Sequence, residues 1–182
     1  YQPYEARTLA FPDTLQSIDS KAFAYLNYNK TAYITEVSIP ASVTSLAKDA
    51  FYLASGLKKI NVADGNAAYV SSNGIVMLKD TGEIYIWPQG NETTEFTLPS
   101  TMTEIPDKMF QNNTSLKKVV VPASVTKVGT YAFSSSGIEE IYFEDSANGL
   151  TVGAFAFYNC PDLTSLRLPY GLTSIGASAI SK

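Results

Sequence analysis

The sequence predicts a repeat solenoid, a stack of β-strand coils of about 23 residues each. Three observations predict it: apolar anchors that recur at a set spacing, an alternating strand pattern ahead of each anchor, and prolines that end those strands. The anchors are Phe23, Phe51, Phe110, Phe133, Phe157 and Ile180, and the last three separations are 23, 24 and 23 residues. A unit that short cannot bury its own apolar face, so it must lie against its neighbours.

Each element of the unit has a physical reason. Leu57 to Val62, Leu116 to Val121, Ile138 to Phe143 and Leu163 to Leu168 read apolar-x-x-apolar-x-apolar. Their last three positions alternate, as a strand with one buried face requires. Proline then ends the strand at Pro40, Pro99, Pro122 and Pro169, because it has no N–H to give to a ladder. A second apolar pair follows (Val43/Leu46, Val125/Val128, Leu172/Ile175), and then the anchor closes the turn. Short helical segments are expected among these turns.

The whole of 1–182 reads as one repeat domain of about seven units, with one degenerate unit at 63–95 and an incomplete last unit ending at Lys182. Two departures stand out. An insertion surrounds Tyr28 to Tyr33. A stretch from Gly74 to Pro88 holds two apolar runs about a glycine-containing turn, hence a β-hairpin, and its second run, Ile84 to Pro88, is expected to supply the missing rung of the ladder.

Composition excludes several function classes. The chain has no histidine, which removes Ser-His-Asp and Cys-His catalysis and imidazole-dependent zinc sites. The single cysteine, Cys160, cannot form an intrachain disulfide. A net charge of −4 and a pI near 4.8 argue against nucleic acid or an anionic membrane as main partner. No apolar run approaches the ~20 residues of a membrane helix. No phosphate-binding glycine loop and no Cys-x-x-Cys pair occurs. The acids Glu139, Glu140, Glu144 and Asp145 decorate one strand and its following turn, which suits a solvated face better than a glycosidase pair or a calcium loop. Asn29, Asn91, Asn112 and Asn113 stand in Asn-x-Ser/Thr sequences, which matter only in a eukaryotic secretory setting. No catalytic, metal or cofactor site is expected.

The stretches Ile39 to Leu46, Val121 to Gly129 and Ala156 to Leu166 resemble leucine-rich repeats of the BspA-like type, found in secreted and surface proteins of gut and oral bacteria and some mucosal protists. The resemblance implies a curved right-handed solenoid, an extracellular or cell-surface location, and a non-catalytic role in binding other macromolecules, often in adhesion. The implied partner is an extracellular protein or glycoprotein, with a glycan as the other choice. A carbohydrate-binding or enzyme-appended module, or a spacer without its own ligand, is the alternative. The chain starts at Tyr1 and carries no targeting signal, so a processed or excised segment is expected. Its last edge is expected either to pair with a copy of itself or to continue in a longer chain.

The candidate ligand face follows from strand alternation. Residues flanking the middle apolar position point outward: Glu36 and Ser38, Lys59 and Asn61, Glu95 and Thr97, Lys118 and Val120, Glu140 and Tyr142, Ser165 and Arg167. Tyr85 joins them if the hairpin strand sits in the ladder, with Trp87 beside it. Strands ~4.8 Å apart would make this face ~34 Å long, a size for a protein or glycan chain. Charges at the first position alternate in sign, so the expected ladder neutralises itself. A second candidate is the aromatic loop of Tyr25, Tyr28 and Tyr33.

Overall fold

In a computed structural model the chain is described over residues 7–26 and 34–181. It forms two compact units, Tyr1–Asn91 and Glu92–Lys182. In both, a coil has three sides: a strand in a long parallel ladder, a strand in a short parallel ladder, and a turn carrying the anchor. Tyr28 and Tyr33 lie outside the described residues.

The first unit contains β1 (Arg7–Ala10), β2 (Ser17–Ile18), β3 (Ile34–Ile39), β4 (Ser45–Leu46), β5 (Lys59–Val62), β6 (Tyr69–Ser72), β7 (Ile75–Leu78) and β8 (Ile84–Ile86). Its long ladder runs β1-β3-β5 and its short ladder β2-β4, all parallel. Leu9, Val37 and Ile60 align across the long ladder, and Val37 and Ile60 are fully buried. The rings of Phe23 and Phe51 stack at 5.5 Å on the third side.

The degenerate unit is where expectation and structure part. The predicted hairpin exists, since β7 and β8 pair antiparallel with Met77 opposite Ile84. However, β8 is not a rung of the parallel ladder: it belongs to a separate sheet, β6-β7-β8. A further hairpin joins β6 to β7 through Asn73-Gly74, both at positive φ (51° and 76°), the pairing that a tight two-residue turn demands. This small sheet closes the edges of both ladders. The Ile60 N–H donates to the Gly74 carbonyl at 2.9 Å, and the Val62 N–H to Ser71 Oγ at 2.9 Å. On the short ladder, the inward residue's carbonyl normally accepts from the next coil, as Ile18 does from Ala47. For Leu46 two tyrosines stand in: its N–H donates to the Tyr69 hydroxyl (3.2 Å), and its carbonyl accepts from the Tyr85 hydroxyl (2.6 Å).

Burial, then the neighbouring Tyr69, push the Tyr85 hydroxyl up to about 12 from its ordinary 10. A raised folded value means that Tyr85 stabilises the fold fully below pH ~10 and loses that contribution as pH climbs through about 12. Urea melts of the native chain and Tyr85→Phe, run from pH 9 to 12, are expected to converge as pH rises. A stability difference that stays constant across that range would contradict this role.

The second unit contains β9 (Glu95–Thr97), β10 (Glu104–Ile105), β11 (Lys118–Val121), β12 (Lys127–Val128), β13 (Glu140–Phe143), β14 (Leu150–Val152), β15 (Ser165–Arg167) and β16 (Leu172–Ile175). The long ladder is β9-β11-β13-β15 and the short one β10-β12-β14-β16. Phe110, Phe133 and Phe157 are buried and stack at 4.8 and 5.4 Å. The three phenylalanine anchors of the second unit therefore form one column of rings.

The expected short helical segments do not form. Among the described residues there is no helix; the anchor segments are turns. In the second unit Lys108, Asn112, Tyr131, Ser135, Phe155 and Asn159, two places before and after each anchor, have left-handed φ between 53° and 62°. Helical hydrogen bonding cannot pass through such residues. Instead, backbone N–H groups reach to the following coil: Lys108 to Thr130, Phe110 to Ala132, and Asn112 to Ser134, at 2.8 to 3.1 Å.

Candidate functional site

The long-ladder registers place the predicted outward residues in rows. In the first unit Glu36 lies opposite Lys59, and Ser38 opposite Asn61. In the second unit one row runs Glu95, Lys118, Glu140, Ser165 and the other Thr97, Val120, Tyr142, Arg167. Four strands at ~4.8 Å spacing make this second face about 14 Å across.

The rows carry paired charge. Lys59 Nζ lies 3.5 Å from Glu36, and Lys118 Nζ 3.2 Å from Glu140. Beside them Lys117 bridges Glu139 (3.2 Å) and Asp162 (3.5 Å) and donates to the Gly137 carbonyl. Glu139, then Asp162, hold its ammonium above the ordinary lysine value. Glu144 accepts from the Ala123 N–H, and Asp145 takes Arg167 at 2.8 Å. The acidic group of the sequence is thus distributed over separate partners. Among the described residues no cluster of three or more metal-ligating side chains forms. These pairs are solvent-exposed and stabilise the fold little, so their main effect is to occupy the cations of the face.

One part of the face differs. Tyr142 is 43% exposed, yet its ring is held: the Arg167 guanidinium sits 4.5 Å from the ring centre. Arg167 is itself fixed, donating to the Phe143 carbonyl at 2.9 Å and to Asp145. Tyr170, three residues after Arg167, is 90% exposed. A stacked, clamped tyrosine, with a second exposed tyrosine just past the end of the next strand, is the composition of an interface anchor. Sequence reasoning named Tyr142 and Arg167 but missed Tyr170, whose only signal was its place just after the strand-ending Pro169.

The hairpin aromatics lie elsewhere. Trp87 is 6% exposed and is part of the core, so it offers no ring to a ligand. Tyr85 lies outside the parallel ladder and spends its hydroxyl on Leu46, with Lys48 Nζ 5.4 Å above its ring. Both sequence candidates are displaced for one reason: the hairpin closes ladder edges instead of extending a ladder. Of the predicted aromatic loop, Tyr25 is half exposed and packs edge-on to Tyr52 at 6.1 Å.

Cys160 is buried and donates from Sγ to the Phe133 carbonyl at 3.0 Å. Burial pushes its thiol up, away from the reactive thiolate. Asn91 and Asn113 are equally inaccessible: Asn91 donates to the Lys58 and Asn73 carbonyls, and Asn113 Oδ1 accepts the Ser115 and Leu116 N–H groups. These two potential acceptor sequences serve the turns.

The stacked coils, paired ladders and ring column can be set against known proteins. A family model for the BspA type leucine rich repeat region matches in six copies, over residues 1–74 and 85–182. The chain belongs to that family. The unmatched stretch falls on β7 and the turn leading to β8, the part of the fold that departs from the coil plan. Among solved structures, the chain is similar to the pneumococcal vaccine antigen PcpA (24% identity, TM-score 0.72, 93% of this chain and 46% of that one). A leucine rich cell surface protein from Faecalibacterium prausnitzii gives 23% identity and TM-score 0.70 over 94% of this chain and 50% of that one. A leucine-rich repeat protein from Eubacterium ventriosum gives 20% and 0.60, over 96% and 64%. The chain thus spans about half the length of the first two. At these identities the likeness concerns the fold. A search of curated proteins returns no match. No helix among the described residues is long and apolar enough to cross a membrane.

Proposed function

We propose that this chain is a non-catalytic recognition module of an extracellular or cell-surface protein, and that it binds a protein partner through the outer face of the second unit's long ladder. The observation that carries this reading is the Tyr142–Arg167 pair with Tyr170: exposed aromatic area, pre-positioned by a clamped guanidinium, on a face whose lysines Lys117 and Lys118 are already paired with carboxylates. A rigid tyrosine loses little conformational freedom on binding, which favours it as an anchor. A face whose cations are already paired with carboxylates suits a mixed protein surface rather than a polyanion. Adhesion is the role that fits a repeat module of this kind, and one of the solved structures similar to it is a cell surface protein.

The test is an array of extracellular-matrix and mucosal proteins probed with the native chain and with Tyr142→Ala. Saturable binding that weakens tenfold or more in the variant is expected, the usual consequence of truncating an anchor. Binding that is indifferent to Tyr142→Ala would place the interface elsewhere. Absence of any bound protein would favour a spacer.

A further inference from the structure

The sequence contains Asn-Gly twice, at Asn73-Gly74 and Asn148-Gly149, and the fold treats the two pairs differently. In this dipeptide the asparagine carboxamide is open to attack by the next backbone nitrogen, because glycine has no Cβ to bar the approach. Attack needs a free carboxamide, a peptide plane that can rotate, and a peptide nitrogen not engaged as a donor.

Asn73-Gly74 fails the second condition. It is the two-residue turn of the β6-β7 hairpin, held at φ 51° and 76°. Asn91 Nδ2 donates to the Asn73 carbonyl at 3.0 Å, and the Ile60 N–H to the Gly74 carbonyl at 2.9 Å. Gly74 is buried against Lys59, where a Cβ would lie 2.6 Å from Cγ and 2.7 Å from Cα. The peptide plane is clamped at both ends.

Asn148-Gly149 meets all three conditions. Asn148 is exposed, in the connection from β13 to β14. Among the described residues its side chain, its carbonyl and the Gly149 N–H have no hydrogen-bond partner. Only its own N–H is used, donating to Ser146 Oγ at 3.2 Å. The ladder resumes at Leu150, whose N–H donates to the Gly171 carbonyl.

We infer that Asn148 is a site of spontaneous covalent modification, passing through a succinimide to aspartate and isoaspartate. The Gly149 nitrogen gives up its proton and bonds to Asn148 Cγ; the Cγ–Nδ2 bond breaks, and Nδ2 leaves as ammonia. Water then opens the ring. Entry at the side-chain carbonyl gives aspartate. Entry at the backbone carbonyl gives isoaspartate, which puts one further carbon into the main chain just before β14. Either product adds one negative charge to the second unit. The modification is independent of the protein-binding reading above.

The test holds the 182-residue chain at 37 °C, at pH 7 and pH 9, in buffer and in unfolding urea. Mass spectrometry of the digested chain then follows the peptides containing Asn73 and Asn148. In the folded chain Asn148 is expected to convert at least tenfold faster than Asn73, and faster at pH 9, where more of the nitrogen is deprotonated. An isoaspartyl methyltransferase is expected to label the aged chain but not Asn148→Gln treated in the same way. In urea the two pairs have the same chemistry, and their rates are expected to converge. Asn148 unchanged in the folded chain, Asn73 keeping pace with it, no methyl labelling, or a gap that survives urea would each overturn the assignment.

Discussion

Phe133→Ala is expected to destabilise the second unit by about 3–5 kcal/mol, the range for emptying a fully buried aromatic site. Phe133 has no exposed surface and is stacked on both sides, by Phe110 and Phe157. Neither neighbour can close the gap without leaving its own coil, so the cavity persists. Against a typical total of about 5–15 kcal/mol, the loss is a large fraction. Phe23→Ala in the first unit removes a ring that is only half-buried, and its effect is expected to be smaller. Urea denaturation followed by circular dichroism measures both. A Phe133→Ala change below about 1 kcal/mol would mean that the ring column is not the core.

Gly153→Ala carries the second large effect, for a different reason. Gly153 follows the inward Val152 of the short ladder, and its N–H donates to the Val128 carbonyl at 2.8 Å. A Cβ there would lie 2.8 Å from Gly129 C and Thr130 N and 2.9 Å from Val128 O. All three are backbone atoms of the preceding coil, so nothing can swing aside; the two coils must separate. Gly129 and Gly176 are confined in the same way, by Asp107 N and Ala154 N. The requirement is space, since Gly153 has no left-handed φ. We expect a loss of about 1–3 kcal/mol, the range for overpacking a closed contact, read from the same urea melts. Gly153→Ala melting at the native midpoint would show that the coils can part without loss.

How much was legible in the sequence follows from which signals repeat. Phe110, Phe133 and Phe157 recur at one place in the unit, and a recurring apolar residue has one explanation, a shared core. The outward rows were legible for the same reason: alternation around Val119 and Ile141 leaves Lys118, Glu140 and Tyr142 no other direction. The left-handed turns were not legible, because the residues there are Lys108, Tyr131 and Phe155 instead of glycine. Those turns defeat helices, and only backbone geometry reveals them. The hairpin was half legible. Gly82 marked one turn, while Asn73-Gly74, the stronger signal for a tight hairpin, passed without use. With that turn in place, Tyr69 and Tyr85 swing onto Leu46 and Trp87 goes inside. Exposure of a lone aromatic outside the repeat pattern cannot be inferred from alternation.

The most direct test of the stacked-coil account is a pair of double-mutant cycles within the second unit, built from Phe110→Leu, Phe133→Leu and Phe157→Leu. Rings in contact should couple, by about 0.5–1.5 kcal/mol for Phe110 with Phe133. Phe110 and Phe157 stand two coils apart and should be additive within roughly 0.3–0.5 kcal/mol. Coupling between Phe110 and Phe157 as large as that between neighbours, or none between Phe110 and Phe133, would contradict a column of coils that touch only in sequence.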